Sequence, residues 1–167
     1  MLILKYLLLG TILFSCSYIG ILKAKTFENR VKELNKFQNA LLMFKSKIEF
    51  TYEPIKNIFE EISKIIYKND ENIFLNSINI DGNITMAWNK AIENLKNDFN
   101  DEDKEMIKMF GKLLGKVDLV GQVNEIDLTM KLIEKQIEKA EAERNQNTKL
   151  YKTMGIVLGM GICIILI

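Results

Sequence analysis

Few residue types in this chain are suited to catalysis. The sequence contains no histidine, so a serine–histidine–acid triad is excluded. The two cysteines, Cys16 and Cys163, lie in apolar segments without a polar neighbour that would activate a thiol as a nucleophile. Carboxylates are common, but none lies in an apolar stretch of the kind that keeps a general acid protonated. We therefore predict that the chain is not an enzyme and that it binds no cofactor.

An acidic cluster at residues 98–105 is the strongest candidate for a metal site. A calcium-binding EF-hand loop requires a glycine at its sixth position and a glutamate at its twelfth. Counted from Asp98, those positions hold Asp103 and Met109. Acids in the first turn of a helix are instead stabilised by the helix dipole. The sequence therefore predicts the start of a helix here, and no metal site.

Three side chains stand out because their types are rare in this chain. Arg30 and Arg144 are the only arginines among 23 basic residues. A guanidinium group can bind a carboxylate through two parallel hydrogen bonds, which lysine cannot do. Each arginine is therefore expected either to hold a carboxylate that fixes helix packing or to contact a partner. Trp88 is the only tryptophan, and a position in the hydrophobic core is favoured for it over a partner contact.

The charge distribution excludes one class of partner. The net charge is +1, and basic and acidic residues are interleaved along the middle of the chain. This pattern is typical of solvated helix faces and creates no overall field that would attract nucleic acid. We therefore expect no nucleic-acid binding.

Both ends of the chain are apolar, whereas the middle is not. Residues 6–22 and 153–167 contain no charged side chain. A helix needs about 20 apolar residues to cross the hydrocarbon core of a bilayer, with a lower bound of about 17. The first run meets that bound, whereas the second would rise only about 22 Å. We predict transmembrane helices at residues 1–25 and 153–167, and the sequence leaves open whether the second crosses fully.

Gly155 and Gly159 form a small-xxx-small pattern within the second apolar run. Glycines at this spacing allow another helix to approach closely in a membrane. The approaching helix is expected to be the first apolar helix or a helix of another subunit, which includes a second copy of this chain. The lipid bilayer itself is a further expected partner of both runs.

Basic residues flank both apolar runs on the side that faces the middle of the chain. They are Lys23, Lys25, Arg30, Lys32, Lys149 and Lys152. Because cytoplasmic flanks of transmembrane helices are enriched in Lys and Arg, residues 26–152 are predicted to form a cytoplasmic domain. Both termini are then expected on the opposite side of the membrane.

A lipoprotein signal peptide is the alternative interpretation of the first run. The segment from Leu13 to Cys16 is similar to a lipobox, which would make the chain a surface lipoprotein with a helical binding domain, lipidated at Cys16. Phe14 fits poorly, because small residues are favoured before the modified cysteine. The apolar run also continues past Cys16 to Leu22, as a spanning helix would. A transmembrane helix is therefore favoured.

The middle of the chain has the periodicity of amphipathic helices. Apolar residues spaced by three and four predict a helix over residues 26–51, and Pro54 is expected as the first residue of the next helix. Asn83 is expected to cap a later helix, as is Asn100 or Asp101.

A long final helix is predicted from Asp118 into the apolar end, because only Gly121 interrupts the pattern before Gly155. The predicted fold class is therefore all-α. It is a helical bundle of about five to six helices between an N-terminal and a C-terminal transmembrane helix.

The order and spacing of particular residues resemble those of the stage III sporulation protein AB family. The resemblance extends over essentially the whole chain, including both apolar ends. In the first half, the matching positions are Arg30, Glu33, Leu34, Leu41, Ile48, Tyr52, Pro54, Trp88 and Ala91. In the second half, they are Gly111, Leu114, Gly115, Asp118, Gln122, Arg144, Lys149, Tyr151, Gly155 and Gly159. These positions become candidates for partner binding or for helix packing.

The resemblance implies a place in the assembly that endospore-forming bacteria build between mother cell and forespore during engulfment. It implies an integral protein of the outer forespore membrane, with its helical domain in the mother-cell cytoplasm. That domain would be similar to the inner-membrane platform protein of type II secretion and type IV pilus systems. The implied partners are the ATPase of the assembly, its other membrane subunits and its ring-forming proteins.

The resemblance also implies roles for individual residues. Gly111 and Gly115 would shape a tight turn between two helices, and Asp118 would cap the long helix that follows. Gln122 and Arg144 would lie on that long helix, where a neighbouring subunit could contact them.

Overall fold

The computed structural model describes residues 2–51, 53–80, 82–114 and 119–166. Within these ranges the chain contains six α-helices and no strand. In chain order they are α1 (Leu2–Phe50), α2 (Ile55–Ile66), α3 (Ile73–Ile78), α4 (Ile84–Asn94), α5 (Asp101–Leu113) and α6 (Leu119–Leu166). The prediction of an all-α fold with about five to six helices is confirmed.

Helix α1 is longer than the sequence pattern predicts. It runs without interruption from Leu2 to Phe50, whereas we expected one helix over residues 1–25 and a second over 26–51. No glycine or proline lies between Gly20 and Pro54. Nothing in this stretch therefore breaks the helical hydrogen bonds where the composition changes from apolar to amphipathic.

Helices α1 and α6 are each long and apolar enough to cross a membrane, judged by length and composition. Their apolar ends leave large side chains exposed. The exposed residues on these ends include Leu7, Phe14, Ile19, Ile156, Leu158 and Ile165. As predicted, α6 continues into the apolar end without a break; the expected start at Asp118 lies outside the described residues.

The chain divides into two compact units. Unit 1 comprises Met1–Val31 and Lys139–Ile167, and unit 2 comprises Lys32–Glu138. Unit 1 therefore contains the apolar ends of α1 and α6. Unit 2 contains the remaining parts of α1 and α6 together with α2 to α5.

An aromatic cluster forms the core of unit 2. Trp88 on α4 is completely buried, which confirms the core position expected for it. The ring centroids of Phe59, Phe74 and Phe110 lie 5.2–5.4 Å from that of Trp88. Aromatic pairs at this distance add about 0.5–1.5 kcal/mol each to the effect of buried area. Because these rings come from α2, α3, α4 and α5, one cluster joins four helices.

Asparagine caps start three of the helices in unit 2, at Asn72, Asn83 and Asn100. The Asn83 side chain accepts a hydrogen bond from the Thr85 amide at 2.9 Å. Asn100 accepts from the Asp103 amide at 2.8 Å, and Asp103 accepts from the Asn100 amide at 3.0 Å, which forms a capping box. The acids of residues 98–105 therefore surround a helix start. Among the residues that the structure describes, no three His, Cys, Asp or Glu side chains are grouped so that they could hold a metal ion.

We expected Pro54 to be the first residue of α2, but it lies immediately before that helix. It has φ −56° and ψ 138°, and its carbonyl accepts hydrogen bonds from the amides of Asn57 and Ile58. The proline ring fixes only φ, and a φ near −60° suits both the last extended residue and the first helical residue. The sequence therefore identifies the helix boundary but not which side of it the proline takes.

Candidate functional site

Two glycines allow the apolar parts of α1 and α6 to meet at backbone distance. A Cβ atom placed on Gly20 would lie 2.6 Å from the carbonyl oxygen of Tyr151. One placed on Gly155 would lie 2.8 Å from the carbonyl oxygen of Cys16. A larger residue at either position must push the helices apart, because Cβ atoms do not approach oxygen so closely. Of the two neighbours that the sequence left open for Gly155 and Gly159, the first apolar helix is the one in contact.

The sequence analysis did not identify Gly20 as the partner of Gly155. The sequence does contain a pattern that could have identified Gly20 as a helix-contact residue. Cys16, Gly20 and Ala24 are small residues spaced by four, so they share one face of α1. Ala24 is completely buried on that face.

Arg30 holds a carboxylate within unit 1, which is one of the two roles expected for it. Its Nη1 atom donates a hydrogen bond to Oε2 of Glu143 at 2.6 Å, and Arg30 is only 5% exposed. A charge-assisted hydrogen bond is stronger than one between neutral groups. Beside it, the rings of Phe27 and Tyr151 stack with centroids 5.6 Å apart. Together these contacts join α1 to α6 beyond the glycine contact.

Arg144 lies on α6 at the edge of a groove on unit 1. Its Nε and Nη2 atoms each lie 3.3 Å from Oδ1 of Asn145, and Nη2 lies 3.9 Å from a carboxylate oxygen of Glu141. Its side chain is about one-third exposed. The groove has a volume of about 420 Å³ and is lined by Glu28, Arg144, Asn145, Thr148, Lys149, Lys152 and Thr153. Arg144 is thus accessible, unlike Arg30.

Gly111 lies inside α5, so the expectation that it forms part of a turn is wrong. A Cβ atom on Gly111 would overlap the Trp88 indole, lying 2.6 Å from Cγ. The indole Nε1 atom donates a hydrogen bond to the carbonyl of Ile107 at 2.8 Å, which holds the ring against α5. The absence of a side chain at this position makes room for the tryptophan.

Glu33 lies on α1 in unit 2, next to a buried phenol. It accepts a hydrogen bond from Lys36 at 2.8 Å, and the Lys36 ammonium lies 5.5 Å from the centre of the Tyr67 ring. Burial of Tyr67, and then the negative charge of Glu33, raise the pKa of the Tyr67 phenol well above its usual range. The phenol therefore stays neutral to a higher pH than a solvated tyrosine does.

Gln122 lies on α6, as the resemblance implies, and is half-buried. It lines a small, mainly apolar pocket together with Phe44 and Leu114. Its side chain is thus only partly open to a neighbour. Three further candidate positions lie outside the described residues: Tyr52, Gly115 and Asp118.

Two lysines of α1 form ion pairs with other helices of unit 2. Lys45 donates to both carboxylate oxygens of Asp127 on α6, at 2.7 and 2.9 Å. Lys47 lies 2.6 Å from a carboxylate oxygen of Glu61 on α2. In each case the hydrogen bond to the carboxylate raises the pKa of the lysine, so its charge persists to higher pH.

Comparison with known proteins identifies the family. The family model described as stage III sporulation protein AB matches residues 5–167. The chain is also 22% identical over 161 residues to the stage III sporulation protein AB of Bacillus subtilis (strain 168), which covers 93% of this chain and 94% of that relative. No solved structure matches the chain. Because the family model extends over nearly all residues, both long helices included, the chain belongs to the stage III sporulation protein AB family.

Proposed function

We propose that the chain is a membrane platform subunit of the secretion-like channel assembly between mother cell and forespore. In this role it positions other subunits and catalyses no reaction of its own. It is integral to the outer forespore membrane, and the domain of residues 26–152 lies in the mother-cell cytoplasm. Its partners are the ATPase of the assembly, other membrane subunits and ring proteins. Membership of the family supports the link to sporulation.

The observation that carries the proposal is the exposed apolar surface of the paired helix ends in unit 1. Phe14 is 73% exposed and Ile165 is 83% exposed, although Gly20 and Gly155 hold the two helices in contact. Soluble proteins rarely expose apolar patches of this extent. A bilayer accepts such a surface, since all backbone groups within a helix are hydrogen-bonded internally.

The distribution of basic side chains supports a cytoplasmic domain. Lys23 and Lys25 follow the apolar run of α1, and Lys149 and Lys152 precede that of α6. All four side chains are exposed. Exposed lysines at this position are typical of the cytoplasmic face of a membrane.

Unit 2 offers a surface on which a partner subunit could be positioned. A groove of about 430 Å³ lies between α1 and α6, with Leu42 and Met130 among its lining residues. Leu42 is 59% exposed, which leaves apolar surface for a partner to cover. We further propose that α6 couples the ATPase to the membrane rings. Its continuity from Leu119 to Leu166 supports this part of the proposal.

Extraction and topology mapping test the proposal. Membranes containing the full chain are washed with alkaline carbonate, and we expect the chain to remain in the pellet. Single cysteines are then introduced by Lys56→Cys on α2 and Leu4→Cys on α1, after Cys16 and Cys163 have been replaced by alanine. Both positions are exposed. An impermeant maleimide should label Lys56→Cys in inverted vesicles and Leu4→Cys in right-side-out vesicles.

Two results would contradict the proposal. Release of the chain by carbonate would remove the membrane part, and labelling of Lys56→Cys in right-side-out vesicles would place the domain on the wrong side. The surface-lipoprotein alternative predicts palmitate incorporation that is lost in Cys16→Ala. We expect no incorporation, because cleavage before Cys16 would remove Leu9, whose carbonyl accepts a hydrogen bond from Cys163 at 3.4 Å.

A further inference from the structure

We propose that the groove beside Arg144 binds the phosphate group of an anionic phospholipid. The inference rests on the proposed membrane location and extends it by naming a class of lipid. Arg144, Lys149 and Lys152 line the groove together with one carboxylate, that of Glu28. Three cations against one anion leave a net charge of +2 on the lining. A groove of about 420 Å³ has room for a phosphate and part of a glycerol headgroup.

The spacing of residues on α6 builds this lining. Positions 144, 148 and 152 are four apart, as are positions 145, 149 and 153, so both rows lie on one face of the helix. Helix α1 contributes Glu28 from the other side. The cations are therefore fixed on one helical scaffold and not scattered over a loop.

Existing contacts leave the cations available to a ligand. The Lys152 ammonium lies 3.4 Å from the Glu28 carboxylate, and both side chains are about half exposed. An ion pair of this kind between solvated groups is weak. The guanidinium of Arg144 makes contacts of 3.3 Å with Asn145 and of 3.9 Å with Glu141, so it can donate to a ligand in the groove without losing a short hydrogen bond.

Thr148 adds an independent indication of a polar ligand. Its Oγ1 atom is enclosed, yet it has no hydrogen-bond partner among the described residues. Buried hydroxyl groups in proteins are normally hydrogen-bonded, so an unpaired one indicates a binding partner that the described residues do not supply. Rotation of the Thr148 side chain would present this hydroxyl to a phosphate oxygen in the groove, whose charge the neighbouring cations balance.

The apolar surface next to the groove favours a lipid over free phosphate. The groove ends at Thr153, where the uncharged run of α6 begins. Ile156, Val157 and Met160 follow at helical spacing and are 47–55% exposed. A headgroup in the groove would place its acyl chains along these side chains. Free phosphate would use only the basic part of the groove, whereas basic pockets at the cytoplasmic side of membrane helices bind lipid headgroups.

Native mass spectrometry of the full chain tests the proposal. The protein is released from detergent in the presence of phosphatidylglycerol or phosphatidylcholine, and retained lipid is measured for each. We expect selective retention of phosphatidylglycerol, weakened about 25-fold in the double variant Lys149→Gln, Lys152→Gln, since each of the two lysines near an anionic lipid contributes about fivefold. The matched control is Lys23→Gln, Lys25→Gln, which removes the same charge beside the other apolar run. It should change retention less than about twofold.

Three results would overturn the proposal. Equal retention of the two lipids would remove the selectivity for anions, and an equal loss in both double variants would indicate diffuse attraction in place of a site. Displacement of the lipid by millimolar inorganic phosphate would assign the groove to free phosphate. Thr148→Val provides a second variant, which should lower retention without removing charge. Carbonate extraction distinguishes failure of this inference from failure of the proposed function. A wild-type chain that resists carbonate but shows no lipid preference contradicts only the lipid-binding inference.

Discussion

At the scale of single residues, Gly111 is a tightly constrained position among the described residues of unit 2. Its Cα atom faces the indole of Trp88, and the space that a side chain would need is occupied by that ring. A glycine inside a helix is usually unfavourable by about 1 kcal/mol relative to alanine. Here the cost is offset by the packing of a tryptophan against the helix backbone.

Gly111→Ala is therefore predicted to destabilise the protein. Overpacking a core costs about 1–3 kcal/mol, and we expect a net loss of about 2 kcal/mol because the indole cannot move without disturbing the other rings. Trp88 is the only tryptophan, so its fluorescence during urea unfolding of the full chain in detergent reports the change. Gly161→Ala is the control, since a Cβ atom there has nothing within 4 Å. Equal stability of the two variants would contradict the packing argument.

The buried phenol of Tyr67 predicts a dependence of stability on alkaline pH. An unfolded tyrosine ionises near pH 10, whereas the folded phenol, with its raised pKa, remains neutral. Above about pH 10 the unfolded state therefore releases a proton that the folded state keeps. Stability then falls by up to about 1.4 kcal/mol per pH unit as pH rises.

Tyr67→Phe should lose less stability than the wild type between about pH 10 and pH 11.5. Urea unfolding at a series of pH values, followed by Trp88 fluorescence, measures the difference. All other ionisable groups are the same in the two proteins, so a difference between their pH curves is due to Tyr67. Parallel pH curves would show that the phenol ionises in the folded state.

Sequence reasoning succeeded for single residues where the cause is local. The caps at Asn83 and Asn100 were predictable because a cap acts on amides two or three residues away. Holding a carboxylate was one of the two roles expected for Arg30, but its partner Glu143 is 113 residues distant along the chain and is one of many acidic residues. The role of Gly111 was predicted wrongly, because the sequence does not distinguish a glycine that leaves room for a neighbouring side chain from a glycine that forms a turn.

At the scale of elements, the two long helices show which structural features the sequence pattern predicts and which it does not. Composition identified the apolar ends of α1 and α6, since each run is long and free of charge. It did not show that α1 continues to Phe50, because a change of pattern resembles a change of element. The pairing of the ends depends on Gly20 and Gly155, and the sequence supplied only one side of that contact.

Gly155→Val is predicted to weaken the pairing of α1 with α6. A Cβ atom would lie 2.8 Å from the Cys16 carbonyl oxygen, so the helices must separate and lose their contacts. We expect the melting temperature of the full chain in detergent, followed by circular dichroism at about 222 nm, to fall by about 5 °C. Gly161→Val introduces the same branched residue into the same helix where space is open. A similar decrease for both variants would assign the effect to helix propensity and not to the contact.

At the scale of the whole molecule, the continuity of α6 carries the proposed coupling. Ala142→Pro places a proline at an exposed position inside that helix, where it removes a hydrogen bond and kinks the chain at a cost of about 3 kcal/mol. We expect heat-resistant spore counts to fall in a strain whose own copy carries the change. Ala142→Ser keeps the helix and should sporulate normally.

Two measurements separate coupling from misfolding in this experiment. The Ala142→Pro chain should still resist carbonate extraction, and Trp88 should keep the fluorescence of a buried indole. Normal spore counts in a strain with the proline would show that an unbroken α6 is not needed. Loss of the folded chain would instead be seen directly as a change in either measurement.

The order in which contacts can form follows from where the partners of α1 lie along the chain. Helices α2 to α5 each pack against their immediate neighbours in sequence, so they can fold as soon as they leave the ribosome. Helix α1 contacts α2, α3 and α5 through Phe37 and Phe44, but its contacts with α6 must wait, because the partner of Lys45 lies 82 residues downstream and the thiol that donates to the Leu9 carbonyl lies 154 residues downstream. The apolar half of α1 therefore lacks its partner on α6 during almost all of translation, so another apolar surface, which is the bilayer in the proposed location, must cover it until the last helix is synthesised.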